Sequence, residues 1–269
     1  MFLVVRKVLD YCEMLDKNYS HPLSQYPLIK NPMSIIVITG LYLMFVYKWG
    51  PRFMMDRKPF NLQRTIIIYN ALQIGLNAYI FIESSHLFLR HYSLKCQPVD
   101  YSITPETKRL ARVSYMYCMV KIFDFLDTVF FVLRKKNTQT SFLHSYHHAG
   151  MAVVCGFLYK FLANSHYILM GIINSFVHVL MYGYYELAAL NPNYRNNMWW
   201  KKYITQLQIL QFGLIFLHLT SGFVSGCGLS KILLTLLMCQ TLFITLMFSD
   251  FYYRNYIQKK QRRNTVKQQ

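Results

Sequence analysis

Along the chain, apolar residues gather into seven runs separated by short polar stretches: roughly Met33 to Lys48, Thr65 to Leu89, Arg112 to Leu133, Phe142 to Lys160, His166 to Leu190, Tyr203 to Val224 and Lys231 to Tyr253. A helix rising about 1.5 Å per residue needs about 20 residues to cross a hydrocarbon core of about 30 Å. The pattern therefore predicts an all-α membrane protein with seven transmembrane helices. Every proline lies outside the runs, which leaves their backbone ladders unbroken. Ahead of them, Val5, Val8, Leu9, Cys12 and Leu15 recur at helical spacing, so an interfacial helix is expected there. Arg6 and Lys7 interrupt this stretch too early for a secretory signal. With no internal repeat or flexible linker, the chain divides into an N-terminal segment (1–32), one seven-helix domain (33–253) and a basic tail (254–269).

Composition supports the bilayer as solvent. Apolar residues make up 54% and charged residues 15%, against about 25% charged in soluble domains. The net charge of +18 would suit nucleic acid, but the cations bracket the apolar runs and read as membrane-flanking charge, so no nucleic-acid partner is expected. Six cysteines stand singly, without a CxxC pair. That is neither a zinc framework nor a dense disulfide scaffold.

Ionisable groups inside membrane helices are costly and need a partner, a cavity or a function. The third run carries Lys121, Asp124 and Asp127 at spacings of three, where the lysine can neutralise a carboxylate, structurally or for chemistry. The fourth begins HSYHH, placing His144, His147 and His148 at i, i+3 and i+4 on one face. Imidazole can act as base, nucleophile or metal ligand. Asn174, His178, Tyr182 and Tyr185 form a polar stripe on the fifth run, Thr205, Gln208 and Gln211 on the sixth, and Asn70, Gln73 and Asn77 on the second. Each stripe alone could be interhelical hydrogen bonding. Stripes on five helices are all satisfied by one shared polar interior.

The constellation resembles the fatty acid elongases, the 3-ketoacyl-CoA synthases that act on very-long-chain acyl-CoAs. The resemblance rests on KIFDFLDTVFFVLRKK (121–136), HSYHH (144–148), NSFVHVLMYGYY (174–185) and TQLQILQF (205–212), and covers nearly the whole chain. Asp124 departs from it, since the family usually has glutamate there. The resemblance implies that helices two to seven enclose a substrate tunnel with the first packed outside. It implies condensation of a long-chain acyl-CoA with malonyl-CoA to a 3-ketoacyl-CoA two carbons longer, with release of CO2 and CoA and no cofactor. His147 would carry the acyl group with His178 as its partner in transfer, while His144 and His148 orient groups or move protons. Asn174, Gln208 and Gln211 would hold a thioester or enolate oxygen, Tyr182 and Tyr185 would face substrate, and Lys121, with Asp124 and Asp127 beside it, would meet developing charge. Arg134, Lys135, Lys136, Lys201 and Lys202 would receive the phosphates of CoA, or serve only as headgroup and topology charge. Further implied partners are a second copy of the chain, membrane lipid, and the ketoacyl reductase, dehydratase and enoyl reductase of the elongation cycle. The implied location is the endoplasmic reticulum membrane, although Thr265 and Val266 stand where a dilysine retrieval signal beside Lys267 would need lysine.

Two rival classes share features. Membrane di-iron desaturases and hydroxylases also carry HxxHH, but need about eight imidazoles in several boxes; here nine histidines form no second HxxH or HxxxH. A seven-helix receptor or transporter would leave the HxxHH cluster without a task.

Counting Lys and Arg by side gives orientation. With the N-terminus outside, 17 fall on the inner side and 11 on the outer, with Lys121 within a helix. The bias predicts a luminal N-terminus and a cytosolic C-terminus. Cys96 and Cys227 then both fall in luminal loops, where an oxidising compartment predicts a disulfide between them. The sequon Asn18-Tyr19-Ser20 falls on the same side, so Asn18 should be glycosylated. The expected result is a glycosidase-sensitive mobility shift that Asn18→Gln abolishes; glycosylation of a sequon engineered into the C-terminal tail would reverse the orientation.

Overall fold

The structure, a computed structural model, describes residues 20–195 and 198–258. All regular structure in the described residues is helical. Helix α1 (Pro32–Met44) continues through a π-helical turn (Phe45–Trp49) into α2 (Gly50–Met54). There follow α3 (Gln63–His91), α4 (Pro105–Phe123), α5 (Phe125–Leu133), α6 (Phe142–Leu162) and α7 (Ile168–Leu190). A short α8 (Pro192–Arg195), α9 (Met198–Ser225) and α10 (Lys231–Tyr252) complete the order, with a final π-helical turn (Tyr253–Gln258). Among the described residues these helices make seven rod-like passages through the bundle, over the seven apolar runs. Five are long and apolar enough to cross a membrane: Met33–Met54, Gln63–His91, Ile168–Leu190, Trp199–Ser225 and Lys231–Gln258. The other two, α4 with α5 and α6, carry the lysine, carboxylates and histidines that lower their hydropathy.

Side-chain caps set several starts. Asn31 accepts from the Met33 amide, Ser141 from His144 and Ser230 from Leu233. Thr104 and Thr107 form a reciprocal cap ahead of α4, with Pro105 in the first turn. This cap corrects the expected boundary. The third passage begins at Pro105 rather than near Arg112, because its first turns, PETKRLA, are polar and carry no hydropathy signal. It also breaks at Asp124, which separates α4 from α5.

Passages pack in a closed order: α3 lies against α4 and α7, α4 against α6, α6 against α10, α10 against α9, and α9 against α7. Six passages thus form a ring, and α1 leans on α6 from outside. Two features fix α1 there. Tyr42 stacks on Phe125 of α5 at 4.0 Å and its hydroxyl bonds Thr128 at 2.8 Å. Gly156 of α6 has no side chain where Ile35 of α1 packs, and a Cβ would overlap the isoleucine.

One end of the ring is tied covalently and by polar contacts. Cys96, after α3, is joined to Cys227, after α9, with Cα atoms 5.4 Å apart. His166 and His218 stack at 3.7 Å, and each ring Nε2 bonds the other's carbonyl oxygen, at 2.9 and 2.8 Å. The His21 amide donates to the carbonyl of Lys160 at 2.9 Å, which ties the segment just ahead of α1 to the end of α6. The expected interfacial helix, Asn18 and the tail from Lys259 lie outside the described residues.

The bridge closes a loop of 131 residues, for which chain entropy supplies about 4 to 5 kcal/mol before strain is subtracted. Cys96→Ser should lower the thermal midpoint of the purified protein by about 10 °C, as a chain of this size loses roughly 2 to 4 °C per kcal/mol. Peptide mapping without reduction should recover the two cysteine peptides joined, and two free thiols would contradict the bridge.

Candidate active site

The buried polar centre forms where α3, the α4–α5 break and α7 meet. Lys121, 2% exposed, projects from the last turn of α4, and its Nζ lies 3.0 Å from Asp124 Oδ2. The same Nζ lies 3.3 Å from His178 Nδ1 on α7, and that nitrogen is 3.8 Å from Asp124 Oδ2. The other carboxylate oxygen of Asp124 accepts from Gln73 Nε2 of α3 at 2.7 Å and from the Tyr182 hydroxyl at 3.1 Å. Tyr182 also meets Asp127 Oδ2 at 2.7 Å, and Gln73 donates to the Tyr69 hydroxyl at 2.9 Å. A buried charge is tolerated when an opposite charge and hydrogen bonds surround it, and both conditions are met at Lys121 and Asp124.

Next to this centre lies an apolar cavity enclosed by the ring. His147 stands at its edge with Asn174 and Gln211, and Met151, Val154, Leu158 and Leu162 of α6 line it toward the disulfide end. His147 and Leu162 are fifteen residues apart on one helix, so this wall is about 22 Å long. Phe212 and Phe248 meet the His147 ring edge-on, with centroids 5.9 and 5.7 Å away. The His147 Nδ1 is buried without a partner. Tyr117 donates to Asn174 Oδ1 at 3.0 Å, and Asn174 Nδ2 donates to Gln211 Oε1 at 3.4 Å. Gln211, the last member of that chain, lines the cavity.

The three box histidines therefore divide. His147 faces the cavity. His144 and His148 turn to each other at 4.3 Å, with His144 against Phe131. His147 and His178 share no hydrogen bond or ring contact: His178 meets Lys121, and His147 meets Phe212 and Phe248. Gln208 donates to the Met181 sulfur at 3.5 Å, Tyr182 is taken up by the two carboxylates, and Tyr185 packs edge-on against Tyr182 while 39% exposed. None of these three lines the cavity. The reason is helical phase: on α7 the turn that puts Asn174 into the cavity carries Tyr182 into the carboxylate network. Arg134, Lys135 and Lys136 stand in the turn after α5, with the Lys135 ammonium bonded to the Met55 carbonyl at 3.1 Å. Lys201 and Lys202 occupy the first turns of α9.

Tyr69, Tyr117 and Gln240 escaped sequence reasoning. Gln240 lines the cavity and accepts from the Tyr146 hydroxyl at 2.8 Å. As a lone amide in the apolar run of α10 it was detectable, whereas the tyrosines are lost among 22 in the chain. Among the described residues no group of three or more His, Cys, Asp or Glu is arranged to hold a metal ion.

A ring of apolar helices around a neutralised polar centre and an apolar cavity defines a multi-pass membrane protein with its site between helices. Residues 27–264 match the ELO: GNS1/SUR4 family, and the chain belongs to that family. A very long chain fatty acid elongase of Aedes aegypti is 35% identical over 265 residues, covering 98% of this chain and 74% of that protein. Very long chain fatty acid elongase 4 of Mus musculus is 39% identical over 242 residues, covering 88% and 76%. Very long chain fatty acid elongase 1 of Homo sapiens is 35% identical over 266 residues, covering 94% and 92%.

The polar centre makes a stability prediction. Asp124→Leu should destabilise the protein by about 3 to 5 kcal/mol, because it leaves the Lys121 ammonium buried and unpaired. Adding Lys121→Met should recover much of that loss. Thermal unfolding of the two variants in detergent measures both values, and additive losses would rule out the coupling.

Proposed function

We propose that the protein is the condensing enzyme of fatty acid elongation, joining a long-chain acyl-CoA to malonyl-CoA through an acyl group carried on His147. The observation that carries this reading is the position of His147: its imidazole stands where the polar centre gives way to an apolar cavity long enough for an alkyl chain. The elongase relatives and the family membership support the same activity.

In the first step an imidazole nitrogen of His147 adds to the thioester carbonyl. The C–S bond breaks, CoA leaves as the thiol after taking up a proton, and the chain stays on a C–N bond. Gln211 offers its amide to the carbonyl oxygen as negative charge develops there. Malonyl-CoA then loses CO2, and the electron pair of the broken C–C bond becomes the enolate of acetyl-CoA. That enolate attacks the acyl carbonyl, the C–N bond breaks, and free imidazole and the 3-ketoacyl-CoA result. His178, held by Lys121, moves protons during transfer, and Lys121 offsets charge. The aromatic collar of Phe212 and Phe248 keeps water from the acyl-imidazole. Arg134, Lys135, Lys136, Lys201 and Lys202 receive the CoA phosphates at the cytosolic face of the endoplasmic reticulum membrane. No metal or redox cofactor takes part, and the product passes to a ketoacyl reductase.

Incubation with acyl-CoA alone should release about one equivalent of CoA per site in a burst and add the acyl mass to the peptide containing His147. His147→Ala should abolish burst and condensation together. A general-base role would give no CoA before malonyl-CoA is added, and rates lowered about 10² to 10⁴-fold rather than lost. Intact-protein mass spectrometry before malonyl-CoA addition distinguishes the two, and absence of the adduct would end the covalent mechanism.

A further inference from the structure

Taking the cavity as the acyl-chain tunnel of the proposed reaction, we propose that its far end is a binding site for a terminal hydroxyl, so that ω-hydroxyacyl-CoAs are a substrate class of this enzyme. The wall from Met151 to Leu162 is apolar, as an alkyl chain requires. Beyond Leu162 the backbone leaves α6 and turns before α7, and this turn places Asn164 and Tyr167 in the cavity lining.

Both side chains are deeply buried, at 1% and 6% exposure, and both keep an unpartnered polar atom: Asn164 Oδ1 and the Tyr167 hydroxyl. The amide orientation of Asn164 is fixed, since Nδ2 donates to the Thr107 carbonyl at 3.0 Å and leaves the oxygen as a free acceptor. Its backbone, at φ 55°, is the left-handed conformation that asparagine adopts more readily than most residues.

A methyl end at this floor would leave both atoms without hydrogen bonds, the costly case for buried polar groups. A terminal hydroxyl donates to Asn164 Oδ1 and accepts from Tyr167, satisfying the pair. Among the described residues no lysine or arginine lines the cavity, so the site suits a neutral hydroxyl and offers nothing to balance a terminal carboxylate. Length agrees: C–C bonds of about 1.5 Å advance an extended chain about 1.3 Å each, so the wall of about 22 Å spans about 17 carbons.

The test measures kcat/KM of the purified full-length protein, with malonyl-CoA, for ω-hydroxypalmitoyl-CoA against palmitoyl-CoA and for ω-hydroxystearoyl-CoA against stearoyl-CoA. The expected ratio favours the hydroxylated chain by about tenfold or more in at least one pair. Tyr167→Phe removes a hydroxyl that has no partner in the protein, and should lower that ratio about tenfold. Asn164→Gly, which retains the left-handed backbone, should lower it as well. A wild-type ratio of one or below, or a ratio that neither variant changes, overturns the hydroxyl site while leaving the elongation reading intact. Absence of condensation with every acyl-CoA, methyl-ended or hydroxylated, overturns the elongation reading instead.

Discussion

In a hydrocarbon layer the Lys121 ammonium persists only because Asp124 meets it at 3.0 Å, and the rest of the helix ring is arranged to keep that pair satisfied. One carboxylate oxygen serves the lysine. The other takes Gln73 from α3 and Tyr182 from α7, and Tyr182 in turn bridges to Asp127. Three passages therefore share one charge-neutralising cluster, which fixes their rotation and height relative to each other. A helix turned by one residue would carry its donor away from the carboxylate. The break at Asp124 belongs to the same constraint, because it lets the passage redirect where its side chains must face both α3 and α7.

With the charges satisfied on one side, the adjoining space can be apolar. His147 stands at the border between the two regions, and the Asn174–Gln211 pair lies with it on the cavity side. On the proposed reading, such a border suits a substrate whose reacting end is a polar thioester and whose remainder is a hydrocarbon chain. The aromatic rings around His147 hold the imidazole by shape rather than by hydrogen bonds, leaving a nitrogen unpartnered inside a site otherwise rich in polar contacts. A nitrogen already engaged in a strong hydrogen bond would make a poorer nucleophile.

Much of this was legible in the sequence, and the reasons for the remainder are specific. Apolar runs of membrane length reveal their helices because lipid contact demands apolar surface on every turn. The start of α4 was hidden because PETKRLA is polar and its helicity comes from the Thr104 cap. The stripes on α3, α4 and α7 predicted a shared interior, and the buried Asn70, Gln73 and Asn77 face inward as that requires. Periodicity could not say which inward residues meet the cavity and which meet the carboxylates. That division depends on small phase differences, so of the three box histidines only His147 lines the cavity, and Tyr182 and Gln208 fall outside it. Asn164 and Tyr167 were invisible for another reason: they belong to an interhelical turn, where no repeating pattern marks a residue as inward.

The two ends of the cavity are built by different bonds. At the His147 end, position comes from the ion pair and the amide chain across α3, α4, α7 and α9. At the other end it comes from the Cys96–Cys227 bridge, the reciprocal His166–His218 pair and the His166 amide bonded to the Gln97 carbonyl. Gly222 is required there, since a Cβ would stand 2.7 Å from the His166 ring. Tyr167 follows His166 directly, so this cross-linked region holds the floor of the cavity in place. Because none of the side chains that brace the floor belongs to the Lys121–Asp124 cluster, substitutions at Asn164 or Tyr167 can alter the depth or polarity of the floor without displacing His147. On the proposed reading, chain selection and chemistry are thus mechanically separable within one ring of helices.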